Sequence, residues 1–319
     1  MRNAHAQTLW ASLCRRSPQP RLLRQRLELP DGDFLDLDWT GAPSHAQPLV
    51  VVLHGLEGSA RSAYVRALAH HLQGLGMQCL VLHFRGCSGV PNRLLRSYHS
   101  GETEDLNLLM RWLRQYWPRR PLAVVGYSLG GNVLLKWLGE QGTAASVDAA
   151  VAVSVPMDLA ACAARMDRGL SRIYRWRLVR GLERKVLRKF RDRDGPLDLA
   201  LVRRARGFRE FDDAVTAPLH GFDDAADYYR HSSSREYLHG IRRPTLVLHA
   251  ADDPFMTPDV LPRPGARIPP QLTLEVSARG GHVGFVSGTG PLGLIPRYWL
   301  ECRIGAYLRQ ALAGPVQPG

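Results

Sequence analysis

The chain has 319 residues, 45% of them hydrophobic, with 42 Lys or Arg against 29 Asp or Glu for a net charge of +13. That length and apolar content suit one large domain with an inserted subdomain, or two small domains, and argue against wholesale disorder; the charge favours anionic surroundings. Five scattered cysteines (Cys14, Cys79, Cys87, Cys162, Cys302), with no Cys-x-x-Cys pair, indicate neither a zinc ribbon nor a disulfide framework and suit a reducing cytoplasm.

In chain order, residues 1–20 read as an N-terminal arm with a short helical segment near Leu9 to Cys14, ended by Pro18 and Pro20. Arg24 to Leu29 and Phe34 to Trp39, separated by Pro30-Asp31-Gly32, predict a β-hairpin. Pro48 to Leu53 is a buried strand that runs into His54-Gly55-Leu56-Glu57-Gly58, followed by a helix over roughly 62–73. Gln78 to His83 is the next strand, leading into Phe84-Arg85-Gly86-Cys87-Ser88-Gly89. Glu102 to Trp117 has helical periodicity through Leu106, Leu109, Met110 and Leu113, and Pro118 stops it.

Leu122 to Val125 then predicts a strand that turns into a helix within five residues, through Gly126-Tyr127-Ser128-Leu129-Gly130. So tight a corner needs glycine on either side of its apex, and it holds the apical Ser128 out in a strained conformation: a nucleophile elbow. Val147 to Val155 is a further strand. The alternation of strand and helix implies a mostly parallel sheet covered on both faces. It breaks after Pro156, and 157–240 holds no convincing strand. Within 165–193, twelve Arg or Lys stand against three acids, and apolar residues recur every three or four positions, predicting a basic amphipathic helix, or two with a break near Gly181. Asp212 to Tyr229 holds another helical stretch. Strand signals return at Thr245 to Ala250 and Leu272 to Val276, and a terminal helix is expected from Tyr298 to Leu312.

A serine hydroxyl needs a histidine base, and the base needs a carboxylate to hold its tautomer and balance its charge. Behind an elbow, the acid follows a late strand and the histidine comes after the next. Asp252-Asp253-Pro254 follows Ala250 at once; Asp253 is the expected acid, with Asp252 capping the turn, although a one-residue shift would exchange them. His282, within Gly280-Gly281-His282-Val283-Gly284-Phe285, is the expected base. The oxyanion needs two N–H donors. Leu129, at the start of the elbow helix, and Leu56, after the strand ending at Leu53, are the candidates, with His54 read as a structural tie. No His-Glu-x-x-His occurs and His70-His71 lack a third ligand, so no metal is expected; no dinucleotide or phosphate-loop fingerprint follows a strand, so no cofactor is expected. Arg85 is read as a structural tie rather than a substrate contact.

With these residues in place, the chain resembles the YheT-like α/β-hydrolases, bacterial relatives of eukaryotic alpha/beta-hydrolase domain lipases and yeast medium-chain ethyl ester synthases. The likeness rests on NAHAQT (Asn3 to Thr8), HGLEG (His54 to Gly58), FRGCSG (Phe84 to Gly89), GETEDL (Gly101 to Leu106), GYSLGGN (Gly126 to Asn132), VPMDL (Val155 to Leu159), GFDDAADYY (Gly221 to Tyr229), ADDPF (Ala251 to Phe255) and GGHVGF (Gly280 to Phe285). It departs at Ala6, where the family usually carries a bulkier residue. The resemblance implies one α/β-hydrolase domain over 1–319: a mostly parallel eight-stranded sheet with helices on both faces and a helical cap or lid at 157–240. It also implies a triad of Ser128, Asp253 and His282 acting on short- to medium-chain carboxylic esters, with glycerides and phospholipids as further candidates.

The first functional reading is therefore a cofactor-free serine carboxylesterase acting on a small ester or lipid. Acyl transfer to an alcohol uses the same residues, and a non-catalytic lipid-binding protein on the same fold is the reading from another class. Two readings of the basic segment 165–193 stand: peripheral contact with an anionic membrane, or a lid with a solvated outer face. No nucleic-acid motif accompanies the charge. No apolar run reaches the roughly 18–20 residues of a membrane span, and the N-terminus lacks a signal-peptide apolar region. The expected location is the cytoplasm, with the inner membrane face as a peripheral site. Nothing in the sequence marks an oligomeric state.

Overall fold

Continuous apolar runs make strands that must be covered on both faces, and here they assemble into one sheet. The computed structural model describes residues 3–11, 15, 17–262, 265–289 and 295–313. The strands are β1 (Leu22–Glu28), β2 (Phe34–Thr40), β3 (Leu49–Leu53), β4 (Gln78–Leu82), β5 (Leu122–Tyr127), β6 (Ala149–Val153), β7 (Thr245–Ala250) and β8 (Leu272–Ser277). They lie in the order β1-β2-β4-β3-β5-β6-β7-β8. Only β2 runs against the rest, pairing antiparallel with both β1 and β4, and every pair from β4 to β8 is parallel.

Side chains of β3 alternate between two cores. Leu49, Val51 and Leu53 pack with α3 (Glu104–Tyr116) and α4 (Leu129–Gln141); Val50 and Val52 pack with α2 (Ala63–Gly74) and α11 (Trp299–Leu312). Truncating any of these fully buried leucines to alanine costs on the order of 2–5 kcal/mol through lost transfer energy and a cavity. Arg85 is buried among Asp31, Asp33 and Asp105, with nitrogen–oxygen distances of 2.6–3.1 Å, so it ties the Phe84–Gly89 loop to the β1–β2 turn and to α3.

The chain start departs from expectation. The helix there, α1, is Ala4–Leu9, capped by Asn3 Oδ1 accepting from the Ala6 N–H at 3.0 Å, rather than a segment near Leu9 to Cys14; residues 12–14 lie outside the described ones. Between β6 and β7 the structure is helical: α5 (Leu159–Met166), α6 (Ser171–Lys189), α7 (Leu199–Arg204), α8 (Phe208–Phe211), a π turn at Asp212–Thr216, α9 (Ala217–His220) and α10 (Ala225–Ser232). Of the two readings of the basic segment, one helix or two with a break near Gly181, the structure shows α6 running straight through Gly181. The chain breaks earlier, at Gly169, which takes a left-handed φ of +55° between α5 and α6. A mid-helix glycine costs only about 1 kcal/mol. Val179, Leu182 and Val186, packed on either side of Gly181 against Val202, Phe211 and Val215, outweigh that cost. The helical stretch expected within Asp212 to Tyr229, around Tyr228-Tyr229, is α10; the π turn and α9 precede it, and Gly221 at φ +75° ends α9. A short antiparallel pair, β9 (Val286–Thr289) with β10 (Ile295–Tyr298), carries no signal in the sequence pattern.

Candidate active site

Strand β5 delivers Ser128 at the apex of the bend into α4 with φ +51° and ψ −118°, a region that non-glycine residues avoid. The bend closes because its neighbours are glycines. A Cβ on Gly130 would sit 2.6 Å from the carbonyl oxygens of Leu53 and His54. The strained serine is held by its own N–H, which donates to Val153 O at 2.8 Å, and by its carbonyl, which accepts from Asn132 N–H at 3.0 Å.

Three side chains meet here, Ser128 from more than a hundred residues before the other two. His282 Nε2 lies 3.0 Å from Ser128 Oγ, and His282 Nδ1 lies 2.8 Å from Asp253 Oδ2. The Asp253 side chain is almost wholly buried, and its other oxygen accepts from Phe255 N–H at 2.8 Å. A carboxylate facing Nδ1 holds the proton there and leaves the Nε2 lone pair to accept from the serine hydroxyl. The ring of Phe255 stacks on the imidazole with centroids 4.1 Å apart. Asp252 does not reach the histidine. Its Oδ1 accepts from the N–H groups of Gly280 and Gly281, at 2.8 and 2.9 Å, and so ties down the loop that carries His282.

That loop has further supports that sequence reasoning missed. The N–H of His282 donates to Thr8 Oγ1 and the N–H of Val286 to Gln7 Oε1, each at 2.9 Å, so α1 clamps the loop from outside. Gly281, at φ +58°, has no room for a side chain, since a Cβ would lie 2.5 Å from Ala4 O. The only trace of this in the sequence is the NAHAQT motif. Nothing in its periodicity links it to a histidine some 270 residues away.

The two candidate oxyanion donors both line the cavity beside Ser128 and His282. Leu129 opens α4, where unpaired N–H groups and the helix dipole favour negative charge. Leu56 follows Gly55, whose Cβ, if present, would lie 3.4 Å from that of Ser128, so the loop passes directly over Ser128. His54 is fully buried beneath it. Its Nδ1 donates to Gly55 O at 2.7 Å and its Nε2 accepts from Phe84 N–H at 3.2 Å, while burial pushes its pKa down to about 3. It is a neutral tie between two loops.

The cavity measures about 150 Å³. Its walls are chiefly apolar, with Pro156, Leu159, Met166, Leu178, Leu182, Phe208 and Phe211 supplied from the helical region between β6 and β7. Asp212, on the π turn, is the partly buried acid of that wall. It accepts from Thr216 Oγ1 at 2.6 Å and Tyr229 OH at 2.8 Å, and burial pushes its pKa up to about 7. Among the described residues, ligand atoms of His99, Glu102 and His220 lie within 4.8 Å of one another. Glu102 is already paired with Arg96, and Arg85, Lys136 and Lys189 add positive charge around the two imidazoles, so the charge there is balanced by side chains.

The sequence matches the family described as the alpha/beta hydrolase fold over residues 48–289. YheT of Escherichia coli (strain K12), whose name marks it as a candidate esterase, is 48% identical over 96% of this chain and 90% of its own. Phospholipase ABHD3 of Mus musculus is 29% identical over 90% of this chain and 72% of its own. The monoacylglycerol lipase of Saccharomyces cerevisiae is 33% identical over 75% of this chain and 55% of its own. Among solved structures, the Pyrococcus furiosus esterase Pf2001 is similar in fold, with a TM-score of 0.58 over 91% of each chain at 18% identity. The chain belongs to the alpha/beta hydrolase family, in the group of YheT and its eukaryotic relatives.

Proposed function

We propose that the protein is a serine hydrolase that cleaves short- to medium-chain carboxylic esters through a covalent acyl-enzyme. The observation that carries this reading is the unbroken line from Asp253 through His282 to Ser128, at 2.8 and 3.0 Å, opening on an apolar cavity. Ser128 Oγ attacks the ester carbonyl as His282 Nε2 takes its proton. The N–H groups of Leu56 and Leu129 receive the negative charge on the carbonyl oxygen. His282 then passes the proton to the leaving alcohol, and Asp253 balances the imidazolium throughout. Water repeats the sequence on the acyl-enzyme, returning the proton to Ser128 and releasing the acid.

The names of the relatives, an esterase, a phospholipase and a monoacylglycerol lipase, support esters and lipids as the substrate class. The cavity volume supports a short acyl group, since an engineered cavity of roughly 150 Å³ in another protein holds a six-carbon ring. The helices of 157–240 act in this reading as a cap that forms the acyl pocket. The outer face of α6 adds peripheral contact with an anionic membrane. Leu170, Ile173 and Trp176 are each about 60% exposed there, and Arg168, Arg172, Arg177, Arg180, Arg184 and Arg188 are exposed beside them.

The test is hydrolysis of p-nitrophenyl esters of increasing chain length, together with labelling by a fluorophosphonate probe. Intact protein is expected to turn over and to label. Ser128→Ala and His282→Ala are expected to lose labelling and at least roughly a thousandfold in kcat, and Asp253→Asn to lose roughly a hundredfold or more. Turnover that survives Ser128→Ala would refute the reading.

A further inference from the structure

Glu57, next to the proposed oxyanion donor Leu56, has no part in the proton path, yet two side chains converge on it, Tyr98 and Lys185. Its backbone is left-handed at φ +54°, a conformation that a non-glycine residue holds only with outside support. Tyr98 OH provides part of it, accepting from the Glu57 N–H at 2.9 Å and donating back to Glu57 Oε1 at 2.7 Å. The rest comes from the helical region between β6 and β7. Lys185, on α6, places Nζ 2.8 Å from the same Oε1. Lys185 also lies 3.1 Å from Cys87 Sγ, but burial pushes that thiol up to about 11, so the negative partner of Lys185 at this point is Glu57. Both charged side chains are mostly buried, and a partly desolvated pair resists a shift of either partner far more than a solvated one.

The other side of the loop is anchored from α2, which packs on the sheet. Tyr64 OH accepts from Gly55 N–H at 2.8 Å, and Gly58 N–H donates to Gly55 O at 2.9 Å. Leu56 thus lies between one anchor belonging to the sheet domain and one supplied by α6.

We propose that Glu57 and Lys185 are positioning residues: their ion pair, closed by Tyr98, sets the Leu56 N–H where the oxyanion forms, and it makes the catalytic competence of the oxyanion loop depend on the docking of α6. The proposal rests on the esterase reading above. An oxyanion donor displaced by a fraction of an ångström leaves substrate binding intact and raises the barrier, so the defect belongs in kcat rather than in KM.

The experiment uses p-nitrophenyl butyrate with the full chain and its Lys185→Met, Lys185→Arg, Glu57→Gln and Lys185→Met/Glu57→Gln variants, each checked for an intact thermal unfolding transition. Lys185→Met and Glu57→Gln are each expected to lower kcat roughly ten- to hundredfold with KM within about twofold of the parent. The double variant should be no worse than the poorer single one, and Lys185→Arg should recover most of the rate. Unchanged kcat, a loss carried by KM, or losses that multiply in the double variant would each overturn the proposal. Failure of the esterase reading is read separately, from the parent and Ser128→Ala alone, and would take the proposal with it.

Discussion

Asp212 is the residue whose burial has the most direct consequence in solution. An ordinary aspartate releases its proton near 3.8, whereas this one, walled into an apolar cavity, holds it to about 7. Between those values the unfolded chain has lost a proton that the folded chain keeps. The protonated form is the one that the fold favours, so stability falls as pH rises from about 4 to about 7, and the loss is complete above that. Asp212→Asn removes the titration. Urea unfolding at pH 5 and pH 8 is expected to show the variant gaining on the parent by on the order of 2 kcal/mol across that interval; parallel curves would refute the argument. Within the esterase reading, the ionised carboxylate also makes the pocket wall less apolar, so KM for apolar acyl chains should rise above neutral pH in the parent and stay flat in Asp212→Asn.

Helix α1 and the loop carrying His282 act as one unit despite lying near opposite ends of the chain. The loop is strained, with Val283 at φ +59° and Phe285 at φ +45°, and α1 supplies acceptors to two of its N–H groups. Each buried N–H left without an acceptor costs about 1–3 kcal/mol. Deleting residues 1–9 is therefore expected to lower kcat on p-nitrophenyl butyrate at least roughly tenfold while the thermal unfolding transition stays cooperative. Full activity in the truncated protein would show that the loop holds its own shape. This coupling was not legible in the sequence, where 1–20 reads as an arm. Elements of this kind declare themselves only by what they touch. The same holds for α6, whose glycine at 181 resembles a break from composition alone, although packing on both sides keeps the helix continuous.

Across the whole molecule the excess of positive charge concentrates on α6, beside the cavity that its inner face helps to line. No helix among the described residues is long and apolar enough to cross a membrane. The proposed contact with lipid through this face rests on arginine attraction and shallow insertion of Leu170, Ile173 and Trp176. Co-sedimentation with anionic vesicles is expected at low ionic strength, weakening in Trp176→Ala and falling away as salt shortens the screening length from about 30 Å at 0.01 M to about 3 Å at 1 M. Equal binding to neutral vesicles would remove the electrostatic account. The strands of the eight-stranded sheet, the tight bend at Ser128 and the succession of Ser128, Asp253 and His282 along the chain could be read in advance, because each depends on residues within about ten positions of one another or on strand order. The clamp of α1 on the histidine loop, the reach of Lys185 to Glu57 and the burial of Asp212 could not. Each is a contact between segments far apart in the chain, and no local periodicity encodes which surfaces will meet once the sheet and the helices around it have packed.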